Sequence, residues 1–415
     1  MTCYSERSPE IILCTLGTRG DLLPFLLLGR RLRDEGWPVT LLSNANWRDE
    51  AIRAGLSFVS IAEEDRTQSG RNDYRFFVDD VIPAQDAALT YFRERTTRGS
   101  RMILLYRSNM LGAECAAQLF NIPRIRVILQ PSAIRSHKSP PWPLSGLGTS
   151  LPEPIRHRII ATLYTMDAWR NPYARHTRRF RRSLGLPAKV AWRKACSDDA
   201  AVILFSSRWF SMPQSDWPSN LYLTGFPVPR EETIDPETRS FVETLGPPIV
   251  CTPGTGVTNS VGFFRRAATI AANLKRSAVF LSPHIPDEFR GQPNILCRDY
   301  LPLGGLLRSA SALMHHGGIG TIAEAFRAGC PQIIFPDRFD QPDNAIRVAQ
   351  LGLGAAIMSD NLPNSQLCDL VREVLKSQHI SSQLTTAREL MASEDGVANA
   401  IEIVEDVAER HIRSS

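Results

Sequence analysis

The sequence predicts an α/β fold built from two doubly wound, Rossmann-like domains. Two observations support this prediction: short apolar runs that end in turn residues alternate with stretches of helical periodicity, and the alternation restarts after a segment rich in proline and charged residues. The chain of 415 residues is also too long for one ordinary hydrophobic core. We expect the two domains to face each other across a central cleft at the carboxyl ends of their strands, where such sheets bind ligands.

The first domain is predicted over residues 1–228. IILCTLG (11–17) is a continuous apolar run of the kind found in buried parallel strands. Residues 24–35 then carry apolar side chains at helical spacing, and PVTLLSN (38–44) forms the next strand. Further strands are predicted at 101–108, 124–132 and 200–207. The pattern is lost over residues 135–200, which combine a proline-rich loop with irregular, basic helices.

The second domain is predicted over residues 248–385. A linker at residues 229–247 precedes it, because that segment is rich in proline and in charged side chains. Strand-like runs then recur at 248–255, 277–284, 295–302, 311–318 and 331–337. Residues 386–415 are predicted to contain a helix that returns to the first domain.

Composition and cysteine usage exclude several classes of protein. No apolar run approaches the roughly 18 residues needed to span a bilayer, and the start of the chain does not read as a signal peptide. The eight cysteines are scattered, with no C-x-x-C pair and no metal-ligand spacing. We therefore expect a cytoplasmic protein with reduced thiols and no structural metal.

The charge of the chain is unevenly distributed. Residues 1–228 carry a net charge of +10 and residues 229–415 a net charge of −5, and eight basic residues lie between Arg156 and Arg182. Such a cluster fits a solvated helical face, a peripheral contact with an anionic membrane, or an acidic acceptor molecule. No nucleic-acid motif accompanies it, so no nucleic-acid partner is expected.

A histidine pair followed by glycines ends one of the predicted strands of the second domain. In HHGGIGT the strand delivers His315 and His316 onto a glycine turn that opens a helix. Free backbone N–H groups at a helix start attract phosphate, and a histidine at the strand end can donate a hydrogen bond to it. The alternative is a structural turn between a strand and a helix, which needs no ligand.

A polar pair follows the next predicted strand. The loop after PQIIFPD carries Asp340 and Gln341, whose side chains can each hydrogen-bond two hydroxyl groups of a pyranose. Parallel strands bring this loop to the same sheet edge as the histidines. The alternative, an Asx-type turn before Pro342, explains Asp340 and leaves Gln341 unexplained.

These motifs together resemble those of a known enzyme family. HHGGIGT, AGCPQIIFP, FDQPDNA and LGLG are similar to the nucleotide-sugar signature of family 1 glycosyltransferases with the two-domain GT-B fold. LGTRGDLLPFLLLGRRLRDEGWPVTLLSN and SDWPSNLYLTGFPV resemble bacterial natural-product, sterol and rhamnolipid glycosyltransferases. The resemblance extends from about residue 10 to 354 and excludes the variable stretch 135–200, the place expected for an acceptor pocket.

The resemblance implies a site for the nucleotide-sugar donor. In the family frame His-x-Gly, His315 would contact the diphosphate, with His316 as the second choice. Further diphosphate contacts are implied for Gly318, Gly320, Thr321, Gly254 and Thr255. The implied sugar-binding residues are Asp340 and Gln341, and the implied nucleoside-binding residues are Tyr300, Leu301 and Glu324. The assignment of Glu324 departs from the family, because the ribose-binding glutamate of plant relatives, eight residues after the histidine, falls on Ala323 here.

The resemblance also implies the catalytic base. An aspartate in the Gly-x-x-Gly-Asp frame of bacterial relatives takes the proton of the acceptor, which points to Asp21 in GTRGD. The alternative role for Asp21 is a helix N-cap. Other candidates for acceptor or donor contacts are Arg19, His137, which is the reserve base, and Trp142.

The activity implied is inverting transfer of a hexose or deoxyhexose from a UDP- or dTDP-sugar to a small lipophilic acceptor. No D-x-D motif is present, so we expect neither a metal nor another cofactor. Two alternatives share the fold: a nucleotide-sugar 2-epimerase and a non-catalytic nucleotide-sugar-binding partner. A dehydrogenase is not expected, because GTRGD replaces the G-x-G-x-x-G turn after the first strand.

Overall fold

The structure, a computed structural model, describes residues 9–63, 81–147, 149–170, 172–188, 190–229, 233–254, 260–359 and 361–414. The chain divides into two compact units. The first unit extends to Gly225 and includes the carboxy-terminal segment from Gly396, and the second contains Phe226–Asp395. Each unit is an α/β body with its own sheet, which confirms the predicted fold class.

The first unit contains a seven-stranded sheet in which all strands pair in parallel. The strand order is β3-β2-β1-β4-β5-β6-β7. In chain order the strands are β1 Glu10–Cys14, β2 Val39–Asn44, β3 Ser57–Ala62, β4 Met102–Arg107, β5 Arg124–Ile128, β6 Ala201–Leu204 and β7 Leu221–Leu223. The order reverses between β1 and β4, where Cys14 pairs with Tyr106. Ligands bind at such reversals in doubly wound sheets.

Helices cover both faces of this sheet. Side chains of β1 alternate between two cores: Ile11 and Leu13 enter one, and Ile12 and Cys14 the other. The helices of the unit are α1 Arg19–Asp34, α2 Arg48–Arg53, α3 Ile82–Thr97, α4 Leu111–Leu119, α5 Glu153–Arg170, α6 Pro172–Ser183, α7 Trp192–Ser197 and α15 Gly396–Ser414. The last of these contributes Ala400, Ile401, Val404, Val407 and Ala408 to the same core as Leu13.

The second unit contains a six-stranded parallel sheet of the same type. Its order is β10-β9-β8-β11-β12-β13, so the reversal lies between β8 and β11. The strands are β8 Ile249–Thr252, β9 Ala278–Leu281, β10 Ile295–Arg298, β11 Ala312–His315, β12 Gln332–Ile334 and β13 Gly354–Ala356. The helices are α8 Pro236–Leu245, α9 Val261–Asn273, α10 Leu303–Leu307, α11 Ile319–Ala328, α12 Gln341–Gln350, α13 Asn364–Lys376 and α14 Gln378–Ala392.

The predicted linker at residues 229–247 needs correction. It contains helix α8, which begins at Pro236 behind the N-cap Asp235, whose carboxylate accepts the Thr238 N–H at 2.9 Å. Phe241 and Val242 of this helix pack on one core of the second unit. The prolines and charges that suggested a linker are therefore signals of a helix start.

The predicted terminal helix also has different bounds. Residues 378–392 form α14, which belongs to the second unit, and a break at residues 393–395 separates it from α15. Within the described chain, no helix is both long enough and apolar enough to cross a membrane.

Candidate active site

The candidate donor-binding residues lie where the strand order of the second unit reverses. Thr252 at the end of β8 pairs with His315 at the end of β11. The segments that leave these two strands are residues 253–254 and 316–318, so they are neighbours at the carboxyl edge of the sheet. This edge is the usual ligand site of a doubly wound sheet.

The imidazole of His316 lies against both segments. A Cβ atom added to Gly254 would come within 2.5 Å of its Cε1 atom, and one added to Gly318 within 2.7 Å of its Nε2 atom. Gly254 also has a φ angle of +95°, which side chains disfavour. Glycine is therefore required at residue 254 by its backbone conformation and by the ring beside it.

His316 is neutral at pH 7 in this structure. Removal of the ring from water lowers its pKa from 6.5 to about 4, and a hydrogen bond with the backbone of Thr252 opposes that shift. Its Nδ1 atom has no hydrogen-bond partner among the described residues. A proton on Nδ1 would make it a donor to a phosphate oxygen, and a bound anion favours that protonation.

His315 is fully buried, and its position contradicts the expectation that it contacts the diphosphate. Its Nδ1 atom accepts the N–H of Gly317 at 3.2 Å, and its Nε2 atom donates to Oε1 of Gln332 at 3.1 Å. These bonds define a neutral ring with its proton on Nε2, and burial lowers its pKa from 6.5 to about 3. Both nitrogens are used inside the unit, so His316 is the better candidate for the diphosphate contact.

Helix α11 begins beside His316. Its N-cap is Gly318, and no side chain caps this end of the helix. A side chain at Gly320 would face open space, and Thr321 is half-buried. A helix start of this kind offers amide N–H groups to an anion, as the sequence predicted for these three residues.

Asp340 and Gln341 lie where the loop after β12 meets α12, and they take part in local structure. Oε1 of Gln341 accepts the N–H groups of Asp337 and Arg338 at 2.9 and 3.1 Å. Gln341 therefore has a structural role that the sequence did not suggest, and these two bonds leave its amide nitrogen for a sugar hydroxyl. Asp340 is the N-cap of α12.

Asn344 is a residue of this site that sequence reasoning missed. It is fully buried, and its amide nitrogen donates to the carbonyl oxygen of Gly317 at 3.0 Å and to Oδ2 of Asp340 at 2.6 Å. It thus joins the glycine turn to the loop that precedes α12. The signal was present in the quoted motif FDQPDNA, four residues after Asp340, one helical turn along α12.

Two further expectations concern Thr255 and the metal. Thr255, a predicted diphosphate contact, lies outside the described residues. Within the described ranges, no group of three His, Cys, Asp or Glu side chains could hold a metal ion.

Asp21, the predicted base, lies at the corresponding reversal of the first unit. It stands in the first turn of α1, and its Oδ2 atom accepts the N–H of the N-cap residue Thr18 at 2.9 Å and the hydroxyl of Thr18 at 3.2 Å. The N-cap is therefore Thr18, not Asp21, and Asp21 is the third helical residue of a capping box. A carboxylate has about four acceptor positions, so these bonds leave room for a substrate hydroxyl.

Arg107 is a second residue that the sequence reasoning missed. At the end of β4 it forms an ion pair with Oδ1 of Asp21 at 2.8 Å and donates to the carbonyl oxygen of Leu16 at 2.9 Å. Both side chains of the ion pair are about one-fifth exposed. No local signal marks Arg107, because only the sheet places the ends of β1 and β4 side by side.

Comparison with known proteins agrees with this architecture. Residues 11–88 match the glycosyltransferase family 28 N-terminal domain, and residues 268–409 match the erythromycin biosynthesis protein CIII-like C-terminal domain. The glycosyltransferase GtfE of Amycolatopsis orientalis is 25% identical over 84% of this chain and 85% of its own length. The O-mycaminosyltylonolide 6-deoxyallosyltransferase of Streptomyces fradiae is 25% identical over 96% of this chain and 98% of its own length.

Solved structures extend the similarity to the fold. The glycosyltransferase of kitacinnamycin superimposes with a TM-score of 0.74 at 20% identity, over 97% of this chain and 100% of that structure. The spinosyn rhamnosyltransferase SpnG, complexed with thymidine diphosphate, has a TM-score of 0.66 at 17% identity, over 95% and 100%. The chain is a glycosyltransferase of the GT-B fold. The predicted family, fold and enzyme class are confirmed.

The nucleoside-binding candidates of this glycosyltransferase have different surroundings. Tyr300 is 54% exposed, whereas Leu301 is buried in a core of the second unit. Glu324 is nearly buried and forms an ion pair with Arg327 at 2.6 Å. Counted from His316 instead of His315, the eighth residue is Glu324 itself, so the apparent departure from the plant pattern disappears.

The remaining candidates of the glycosyltransferase belong to the first unit. Arg19 forms an ion pair with Glu50 at 3.4 Å. His137 is half-buried, its backbone N–H donates to Asp216 at 2.6 Å, and its ring lies 5.9 Å from that of Tyr164. Trp142 is 46% exposed.

Proposed function

We propose that this glycosyltransferase is inverting and metal-independent, and that it moves a hexose or deoxyhexose from a UDP- or dTDP-sugar to a hydroxyl group of a small lipophilic acceptor. The observation that carries the proposal is the turn of the second unit at which His316, Gly254 and the uncapped start of α11 meet. Amide N–H groups and an imidazole can balance the charge of a departing diphosphate in place of a metal.

The relatives support this choice of substrates. SpnG is a rhamnosyltransferase complexed with thymidine diphosphate, which favours a dTDP-sugar and a deoxyhexose. The 6-deoxyallosyltransferase of Streptomyces fradiae and the vancomycin aglycone glucosyltransferase of Amycolatopsis orientalis have names that specify sugar transfer to the natural products O-mycaminosyltylonolide and vancomycin aglycone. We propose an acceptor of that general kind.

The proposed reaction is a single displacement. Asp21 takes the proton of the acceptor hydroxyl while the acceptor oxygen bonds to the anomeric carbon of the sugar. The bond from that carbon to the phosphate oxygen breaks, and its electron pair leaves with the nucleoside diphosphate. Attack opposite the leaving group inverts the anomeric configuration, and the transition state resembles an oxocarbenium ion. Asp340 and Gln341 hold the sugar hydroxyls during transfer.

The role of Asp21 as base can be separated from its role in the capping box. We expect Asp21→Asn to lower kcat by at least about a hundredfold, the usual contribution of a general base. Thr18→Ala is the matched control, because it removes the hydroxyl bonded to Asp21 and leaves the carboxylate in place. Its kcat is expected to stay within about threefold of the wild type. Equal turnover in Asp21→Asn and Thr18→Ala would exclude Asp21 as the base.

The absence of a metal requirement has its own test. Thermal shift and turnover are measured with UDP-glucose, dTDP-glucose and dTDP-rhamnose against a panel of lipophilic alcohols, in the presence of EDTA. We expect donor-dependent stabilisation and turnover that EDTA leaves unchanged. Loss of turnover in EDTA that Mg²⁺ restores would refute the metal-free mechanism.

A peripheral membrane contact is proposed for the surface formed by α5 and α6. Apolar side chains Ile155, Ile159 and Met166 are exposed along one side of α5. Arg175, Arg179 and Arg182 are exposed on α6. Exposed apolar and basic side chains on two consecutive helices suit the surface of an anionic bilayer.

The membrane contact is tested by co-sedimentation with vesicles. Binding to vesicles that contain anionic lipid is expected, with little binding to purely zwitterionic vesicles. Ile159→Asp should abolish it, whereas Met212→Asp, at a side chain exposed by 72%, should not. Binding that is equal in both variants would rule out this surface.

A further inference from the structure

A series of buried hydrogen bonds connects residues of the candidate donor site. It runs from Gln332 through His315 to the backbone of Gly317, and from there through Asn344 to Asp340. None of the side chains of Gln332, His315 and Asn344 is exposed. This series of hydrogen bonds therefore connects the turn proposed for the diphosphate with the loop proposed for the sugar, inside the same unit.

The orientation of the Asn344 amide is fixed by its partners. Both are acceptors, a carbonyl oxygen and a carboxylate oxygen, so the nitrogen of the amide must face them and each of its two hydrogens is used. The Oδ1 atom is consequently left without a partner among the described residues. A buried acceptor without a partner costs free energy, which partly offsets the two hydrogen bonds that the amide nitrogen donates.

The Gly317 turn is held from both sides. Its N–H donates to His315 and its carbonyl oxygen accepts from Asn344. The turn also needs a φ angle of +93°, and an added Cβ atom would lie 2.8 Å from Cγ2 of Ile334 and 3.2 Å from the carbonyl oxygen of Gln341. The start of α12 is thus in contact with the glycine turn and leaves it little freedom.

We propose that Asn344 is a positioning residue that couples two segments. One is the turn at residues 316–318, which is proposed to bind the diphosphate, and the other is the loop at residues 335–340, which is proposed to bind the sugar. Asn344 holds Oδ2 of Asp340 by a hydrogen bond, and it thereby fixes that carboxylate relative to the amides beside Gly317. The sugar of the donor then adds affinity only while this link is intact. This inference rests on the proposed donor site and specifies how the site discriminates a nucleotide sugar from a free nucleotide.

The test is a double-mutant cycle on binding, which needs no acceptor. Dissociation constants are measured by calorimetry for UDP and UDP-glucose, and for dTDP and dTDP-glucose, and the pair that binds more tightly is used. The gain in affinity due to the sugar is compared for the wild type, Asn344→Ala, Asp340→Ala and the double variant. We expect the gain in affinity due to the sugar to be at least tenfold smaller in Asn344→Ala than in the wild type. The double variant should lose no more of this gain than Asp340→Ala loses alone.

Two further variants keep the test decisive. Asn344→Leu keeps the branched shape of the side chain without its two donor hydrogens and replaces Asn344→Ala if that variant does not fold. Asp343→Asn, in the same helix, breaks the ion pair between Asp343 and Arg347, which both belong to α12, so it is expected to retain the full gain from the sugar.

The outcomes are separable. A wild-type protein that gains no affinity from any sugar refutes the proposed donor site and this inference with it. A wild-type gain that persists in Asn344→Ala and Asn344→Leu, or losses that add in the double variant, refutes the coupling alone. Equal weakening of nucleotide and nucleotide-sugar binding would mean that Asn344 only stabilises the fold, which also refutes it.

Discussion

The neutral state of His315 predicts a loss of stability in mild acid. Its ring is fully buried, and its Nδ1 atom accepts a backbone N–H, so the folded protein disfavours the protonated form. The pKa of His315 falls from 6.5 to about 3 for this reason, with desolvation as the largest cause. A depressed pKa contributes stability that is present above pH 6.5 and is lost as the pH falls toward 3.

The magnitude follows from the two pKa values. At pH 7.5 the histidine is neutral in both the folded and the unfolded chain, so it contributes almost nothing to pH dependence. At pH 5.0 the unfolded imidazole is mostly protonated and the folded one is not. The linkage relation then gives a loss of about 2 kcal/mol in the free energy of unfolding from this one residue.

Urea unfolding at pH 7.5 and 5.0 measures this loss. The second unit, residues 226–395, contains none of the seven tryptophans, so tryptophan fluorescence reports the unfolding of the first unit, and circular dichroism reports the unfolding of both. His315→Asn replaces Nδ1 by an oxygen that can still accept the Gly317 N–H, and it cannot titrate. We expect it to be less stable than the wild type at pH 7.5, and to lose about 2 kcal/mol less between pH 7.5 and 5.0.

The measurement contains its own control. Between pH 7.5 and 8.5 the two stability curves should run parallel, because His315 is neutral throughout. If the wild type and His315→Asn lose the same stability between pH 7.5 and 5.0, the buried ring is not neutral and its assigned hydrogen bonds are wrong.

Three further predictions concern the two sites. His316→Ala should weaken binding of the nucleoside diphosphate by about 10- to 100-fold, the value of one hydrogen bond to a charged group, with less effect from His315→Asn; the reverse order would restore the original assignment. Gly254→Ala should lower both the stability and the donor affinity. The control is Gly246→Ala, where the φ angle is +76° and an added Cβ atom meets no heavy atom within 4 Å, and it should lower the stability alone. Equal donor affinities in the two variants would show that His316 moves freely. Arg107→Met should lower kcat about tenfold at unchanged donor affinity, because Asp21 loses the partner of its Oδ1 atom; unchanged kcat would make the ion pair purely structural.

Much of the fold was predictable because its signals are local. β1 and β11 are apolar runs followed by glycine turns. A strand that is buried on both faces of a parallel sheet is typically a continuous apolar run, so the sequence predicts it directly. The segment containing α8 was misread as a linker, since proline and acidic residues mark helix starts as well as loops. Composition alone does not separate these cases, because the decision depends on whether Phe241 has a core to pack against.

The sequence by itself determined the class of chemistry: a glycine turn after a strand, a polar pair one strand later, and an aspartate after the first strand. Only the tertiary structure decided which of two adjacent histidines borders the turn. Side chains alternate along a strand, and with both faces of the sheet buried the apolar pattern does not reveal the phase of that alternation. His315 shares the covered face with Leu313, and His316, one residue beyond the strand, is left beside Gly254 and Gly318.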